Sequence, residues 1–89
     1  MEHKEEKIDA LLEILLAAEN KEDLKALLED VCTRREVENM AERVYGAKLL
    51  IQGNTYSQVI AKADLSSATL SRISQCVQYG KGYSRFLKK

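Results

Sequence analysis

From Lys4 to about Gln52 the apolar side chains recur at steps of three and four, and no proline interrupts the chain anywhere. That is the period of an α-helix, and nothing alternates at period two for long enough to make a strand. The spacing predicts an all-α fold. A first helix, from about Lys4 to Glu19, gathers Ile8, Leu11, Leu12, Leu15 and Leu16 on one broad face. Asn20 is suited to cap a second helix, with Glu22 and Asp23 in its first turn and Leu24, Leu27, Leu28 and Val31 as its buried stripe. Thr33-Arg34-Arg35-Glu36 has the form of a capping box, in which hydroxyl and carboxylate each take the other residue's amide. The long helix it opens carries Val37, Met40, Ala41, Val44, Ala47, Lys48 and Ile51 at helical steps and runs to about Gln52. Gly46 inside it costs up to about 1 kcal/mol of helix propensity, which is tolerable where another backbone packs closely. Gly53 suits the left-handed position just past the helix end.

The rest of the chain is organised differently. Two short helices, about 56–63 and 66–78, are followed by Gly80-Lys81-Gly82 and a basic tail from Tyr83 to Lys89. Val59, Ile60 and Ala63, then Leu65, then Leu70 and Ile73 are the apolar positions of the pair, the pattern that two helices joined by a tight turn require. Leu65 plugs the turn. The outward face of the second helix is then Ser66, Ser67, Ala68, Ser71, Arg72 and Gln75. A helix that enters a DNA major groove needs small residues and a few donors on that face, and Gln58 and Lys62 on the preceding helix are placed to touch the phosphate backbone. Two positions depart from the usual helix-turn-helix. Asp64 stands where the turn commonly has glycine, and Ile60 where a small residue lets the helices cross closely.

Charge supports an anionic partner for this part of the chain. The whole is neutral, with 14 basic and 14 acidic residues. Residues 1–53 hold 8 Lys+Arg and 13 Asp+Glu, a net −5, whereas residues 54–89 hold 6 and 1, a net +5. Arg85, Lys88 and Lys89 of the tail can strengthen phosphate contact or equally form a solvated terminus. Cys32 and Cys76 lie far apart and His3 is the sole histidine, so no metal-ligand spacing exists and two reduced thiols are expected. The polar N-terminus lacks the apolar stretch of a signal peptide, and no run is long enough to span a bilayer. A soluble, cytoplasmic, single-domain protein is expected, with no cofactor, no metal and no membrane partner. Serines without a usable histidine base make no triad, so no catalytic residue is expected.

Thr33-Arg34-Arg35-Glu36, Glu42-Arg43-Val44, Gly53-Asn54-Thr55-Tyr56-Ser57, Ala68-Thr69-Leu70-Ser71-Arg72 and Tyr79-Gly80-Lys81-Gly82-Tyr83 occur in this order. Together they resemble the Trp-repressor superfamily, specifically its small YerC/YecD-type branch, over Thr33 to Tyr83. The resemblance implies a six-helix fold, an intertwined homodimer, and one helix-turn-helix reading head per subunit. It also implies a corepressor site. In the tryptophan-binding repressor a threonine and two arginines hold the amino acid, and the matching positions here are Thr33, Arg43 and Arg72. The residue after the second arginine is glycine in that repressor and leaves room for the indole; here it is Ile73. The serine three residues further on is Cys76 here. Tryptophan is therefore not expected to bind, and any effector is unknown.

Two function classes follow. One is a dimeric, sequence-specific DNA-binding transcriptional regulator. The other is a helical protein-interaction module that keeps the fold without binding DNA. Overall neutrality favours the second, and the polarised charge and the Ser66–Gln75 face favour the first.

Overall fold

Four of the helices begin at a side chain that satisfies a free amide of the first turn, which is where an α-helix has no internal acceptor to offer. In the computed structural model, which describes residues 3–87, α1 spans Lys4–Ala17, α2 Lys21–Val31, α3 Arg34–Ile51, α4 Tyr56–Ala63, α5 Ser67–Tyr79 and α6 Gly82–Leu87. Asn20 Oδ1 accepts the Asp23 amide at 2.8 Å ahead of α2. Ahead of α3, the Thr33 hydroxyl accepts the Glu36 amide at 3.1 Å and Glu36 Oε1 accepts the Thr33 amide at 2.7 Å. Thr55 and Gln58 repeat that reciprocal box for α4, at 3.2 and 2.8 Å. Ser66 Oγ takes the Thr69 amide at 3.1 Å and opens α5. The α4 box carries the same kind of signal as the one at Thr33, Thr-x-x-Gln instead of Thr-x-x-Glu, and the sequence reading missed it.

Helix ends are written equally locally. Gly53, at φ +100°, lets the chain leave α3. Its amide reaches the Leu50 carbonyl at 3.0 Å and the Asn54 amide reaches Leu49 at 3.1 Å, the paired bonds of a Schellman ending. Asp64 takes the left-handed conformation at the end of α4, φ 57° and ψ 45°. Aspartate is among the few residues other than glycine that adopt it readily, which explains how this turn does without the usual glycine.

The described residues form two compact units whose boundary falls after Val37, within α3. The first contains α1 and α2, which contact each other. No residue of either helix is buried. Leu15, Leu27 and Leu28 are half-buried, but Ile8, Leu11, Leu12, Leu24 and Val31 are exposed and Leu16 is 85% exposed. The stripes expected to be buried are thus largely uncovered in the single chain, because two short helices share only one seam.

In the second unit Ala47 and Leu49 of α3, Val59 and Ala63 of α4, Leu65 of the turn, and Leu70, Ile73 and Val77 of α5 make one core. Leu50, Ile51, Ile60, Tyr83 and Leu87 pack against it. Val59, Ala63, Leu65, Leu70 and Ile73 are buried as their spacing requires, whereas Ile60 is only half-buried. Along α3 the buried positions are Gly46, Ala47 and Leu49, whereas Ala41, Val44 and Lys48 of the expected stripe are exposed. The tail also departs from expectation. Tyr83 to Leu87 belong to α6, with Tyr83 and Leu87 one helical turn apart and both packed on the core. Lys88 and Lys89 lie outside the described residues.

Gly46 makes room for a side chain, not for the close backbone expected there. A Cβ at this position would lie 2.6 Å from Leu65 Cδ1, with Val59 Cγ1 and Ile73 Cδ1 each at 3.7 Å. Alanine gains about 1 kcal/mol of helix propensity but must displace one leucine methyl, so Gly46→Ala is expected to leave stability within about 1 kcal/mol of the parent. Gly46→Val adds two more methyl groups against three buried side chains and is expected to lose about 1–3 kcal/mol. Urea unfolding measures both; a valine variant as stable as the parent would show that Leu65 does not depend on this space.

Candidate nucleic-acid interface

The packing of α5 decides which of its side chains face outward. Leu70, Ile73, Ser74 and Val77 are its buried residues, one stripe at steps of three and four. Ser67, Ala68, Ser71, Arg72 and Gln75 are exposed, as are Ser66 before the helix and Gln58 and Lys62 on α4. All eight residues singled out for DNA contact therefore lie on the surface of the second unit.

Their polar groups are not equally free. The Ser66 hydroxyl is committed to the cap: it accepts from Thr69 N and donates to Thr69 Oγ1 at 3.0 Å. Gln58 Oε1 is likewise held by the Thr55 amide, leaving the Gln58 side-chain amide as a donor. With Thr69 N capped, the amides left over at the start of α5 are those of Ser67 and Ala68, and a helix N-terminus with free amides is a natural seat for a phosphate. Ser67, Ser71, Arg72 and Gln75 remain to offer hydroxyl, guanidinium and carboxamide groups. Sequence reasoning did not find the contact at Lys62, whose ammonium donates to Asn54 Oδ1 at 3.2 Å. Two distant positions meet there, and no short-range pattern signals it.

Arg43 and Arg72 come together on one cavity of about 460 Å³, with Thr69, Ile73, Cys76 and Tyr83. Among the described residues neither arginine makes a salt bridge. Ile73 is 3% exposed and part of the core, as its place in the motif requires. Thr33 belongs to the first unit, where its hydroxyl is taken up by the Glu36 amide. In α6, the Arg85 guanidinium lies 5.5 Å from the centroid of the Phe86 ring. Cys32 and Cys76 are free thiols. None of the described helices is long and apolar enough to cross a membrane.

The comparisons agree with this architecture. The family model described as Trp repressor protein matches residues 6–89. The uncharacterized protein YerC of Bacillus subtilis (strain 168) is 33% identical over 73 residues, covering 82% of this chain and 70% of YerC. A crystal structure of a candidate Trp repressor from Staphylococcus aureus matches with a TM-score of 0.87 and 29% identity, covering 99% of this chain and 92% of that one. With six helices and no strand among the described residues, and a family match over nearly its whole length, the chain belongs to the Trp repressor protein family.

Proposed function

We propose that this protein is a sequence-specific, DNA-binding transcriptional regulator of the cytoplasm, acting as a homodimer whose two α5 helices read successive major grooves. The observation that carries this reading is the exposed face of α5. It is built from small and polar side chains, backed by a packed stripe, and lies in the basic C-terminal part of the chain. Small residues let a helix sit deep in the groove, and a few donors then reach base edges. Arg72 meets a phosphate or a guanine edge, Ser67, Ala68 and Ser71 lie nearest the bases, Ser66 and Gln75 flank them, and Gln58 and Lys62 touch the backbone. Membership of a family described by the name Trp repressor supports the same reading.

A homodimer accounts for the apolar surface that the single chain leaves open. Ile8, Leu11, Leu12 and Leu16 are exposed in the first unit. In the second, a mostly apolar cavity of about 500 Å³ is lined by Val44, Cys76, Tyr83, Phe86 and Leu87 among others. A chain of this length has little core of its own, and a second copy supplies the missing contacts. If no stable folded monomer exists, the melting temperature rises with protein concentration. A concentration-independent melt together with a monomer mass in sedimentation would overturn the dimer.

The DNA reading is tested by gel shift and by two substitutions. The dimer is expected to prefer a pseudo-palindrome with half-sites about 34 Å apart. Ser67→Glu sets a carboxylate against phosphates and base acceptors and is expected to abolish binding. Lys62→Ala is expected to weaken all sequences alike and to lower the salt slope by about one unit. A folded dimer that shifts no duplex at low salt is the result the interaction-module reading expects. Unchanged affinity of Ser67→Glu would show that α5 is not the reader.

The cavity between Arg43 and Arg72 suits an anion by charge, but Ile73 forms part of its wall and is held by the core. Seating an indole ring there means displacing that side chain, an overpacking that costs about 1–3 kcal/mol. DNA binding is therefore expected to be independent of tryptophan, and calorimetry with millimolar L-tryptophan is expected to show no heat of binding. A dissociation constant in the micromolar range would overturn this part of the proposal.

A further inference from the structure

Lys62 is exposed in the last turn of α4, and its ammonium donates to Asn54 Oδ1 at 3.2 Å. Asn54 is half-buried and fixed twice to a single acceptor. Its main-chain amide reaches the Leu49 carbonyl at 3.1 Å and its side-chain Nδ2 reaches the same oxygen at 3.0 Å. The orientation of the carboxamide is determined by chemistry. Leu49 O only accepts and Lys62 Nζ only donates, so exchanging the amide oxygen and nitrogen would set acceptor against acceptor and donor against donor. The end of α3 thereby aims Asn54 Oδ1 at Lys62.

Asparagine is neutral, and this decides what the contact does. Among the described residues no carboxylate pairs with Lys62. The ammonium is thus oriented while its charge stays whole. Lysine has among the largest rotamer freedoms of any side chain, and a cation ordered in advance loses less of it when it meets a phosphate.

We propose that Asn54 is a positioning residue: it holds Lys62, charge intact, for contact with a duplex phosphate. This rests on the DNA-binding reading, in which the first helix of the motif crosses the backbone.

Fluorescence anisotropy with a labelled duplex, at several salt concentrations, tests it with the full-length protein. Lys62→Ala, Asn54→Ser, Asn54→Asp and the Asn54→Ser/Lys62→Ala pair are compared, each below its own melting temperature. Asn54→Ser removes the aimed acceptor without changing charge; it is expected to weaken binding about threefold with the salt slope unchanged, and to have no further effect once Lys62 is alanine. Asn54→Asp turns the contact into an ion pair and is expected to weaken binding more than serine does, lowering the salt slope by about one unit, as Lys62→Ala does. Should either Asn54 variant fold poorly, the other carries the comparison. A loss with Asn54→Ser that persists undiminished beside Lys62→Ala would overturn the proposal, since Asn54 would then act through the fold alone. Normal binding by Lys62→Ala would overturn it and leave α5 as the reader. No duplex binding by the parent protein would overturn the DNA reading and this inference with it.

Discussion

Leu65 occupies space that exists only because residue 46 has no side chain. A Cβ on Gly46 would lie 2.6 Å from Leu65 Cδ1, and Leu65 is the one core residue contributed by the turn between α4 and α5. Leu65 shares one core with Val59 of α4 and Ile73 of α5, so seating it helps fix the turn between the two helices. The outward face of α5 is defined by its inward one, because Leu70, Ile73 and Val77 set the rotation of the helix about its own axis. The placement of Ser67, Ser71 and Arg72 is thereby tied to the packing of Leu65 against α3.

The same economy explains where the chain leaves apolar surface uncovered. The second unit spends its apolar residues on one small core, and α1 and α2 have only each other among the described contacts of the first. Leucine-rich helices without a single buried residue are costly to keep in water, at roughly 25 cal/mol for each Å² of exposed apolar surface. Charge follows a related division. Thirteen of the acidic residues precede Asn54 and only Asp64 follows it, so the helix-turn-helix is largely free of the carboxylates that would repel an anionic partner.

Much of this was legible in the sequence wherever the signal was local. Thr33 and Glu36 form the capping box that their spacing announces, Gly53 takes its left-handed turn, and the apolar positions of the motif point inward except for half-buried Ile60. What escaped was non-local. Periodicity on α3 selected Val44 and missed Leu49, because the direction from which a helix is covered depends on its neighbours and not on its own pattern. The resemblance implied six helices, but the residue pattern did not place the sixth, because the basic residues near the C-terminus masked α6, whose local signal is only the one-turn spacing of Tyr83 and Leu87. Polar composition announced a candidate surface, but not which of its groups the fold itself consumes.

That last distinction narrows what the surface can do. Ser66 and Gln58 both look like contact residues in the sequence, yet the Ser66 hydroxyl and the Gln58 carbonyl are each bonded to a helix start. A group already bonded within the fold gains less from a base or phosphate, since the old bond must be given up for the new one. The unspent donors are the Ser67 and Ser71 hydroxyls, the Arg72 guanidinium, the Gln58 and Gln75 amide nitrogens, the first amides of α5 and the oriented Lys62 ammonium. Few of these read a base edge with two bonds at once, which is the arrangement that discriminates most strongly. Under the proposed DNA reading, specificity would fall to Arg72 and Gln75, the two side chains able to make paired contacts, and to the spacing of α5 helices in the proposed dimer. On that reading the serines would contribute chiefly by being small enough to let the helix approach.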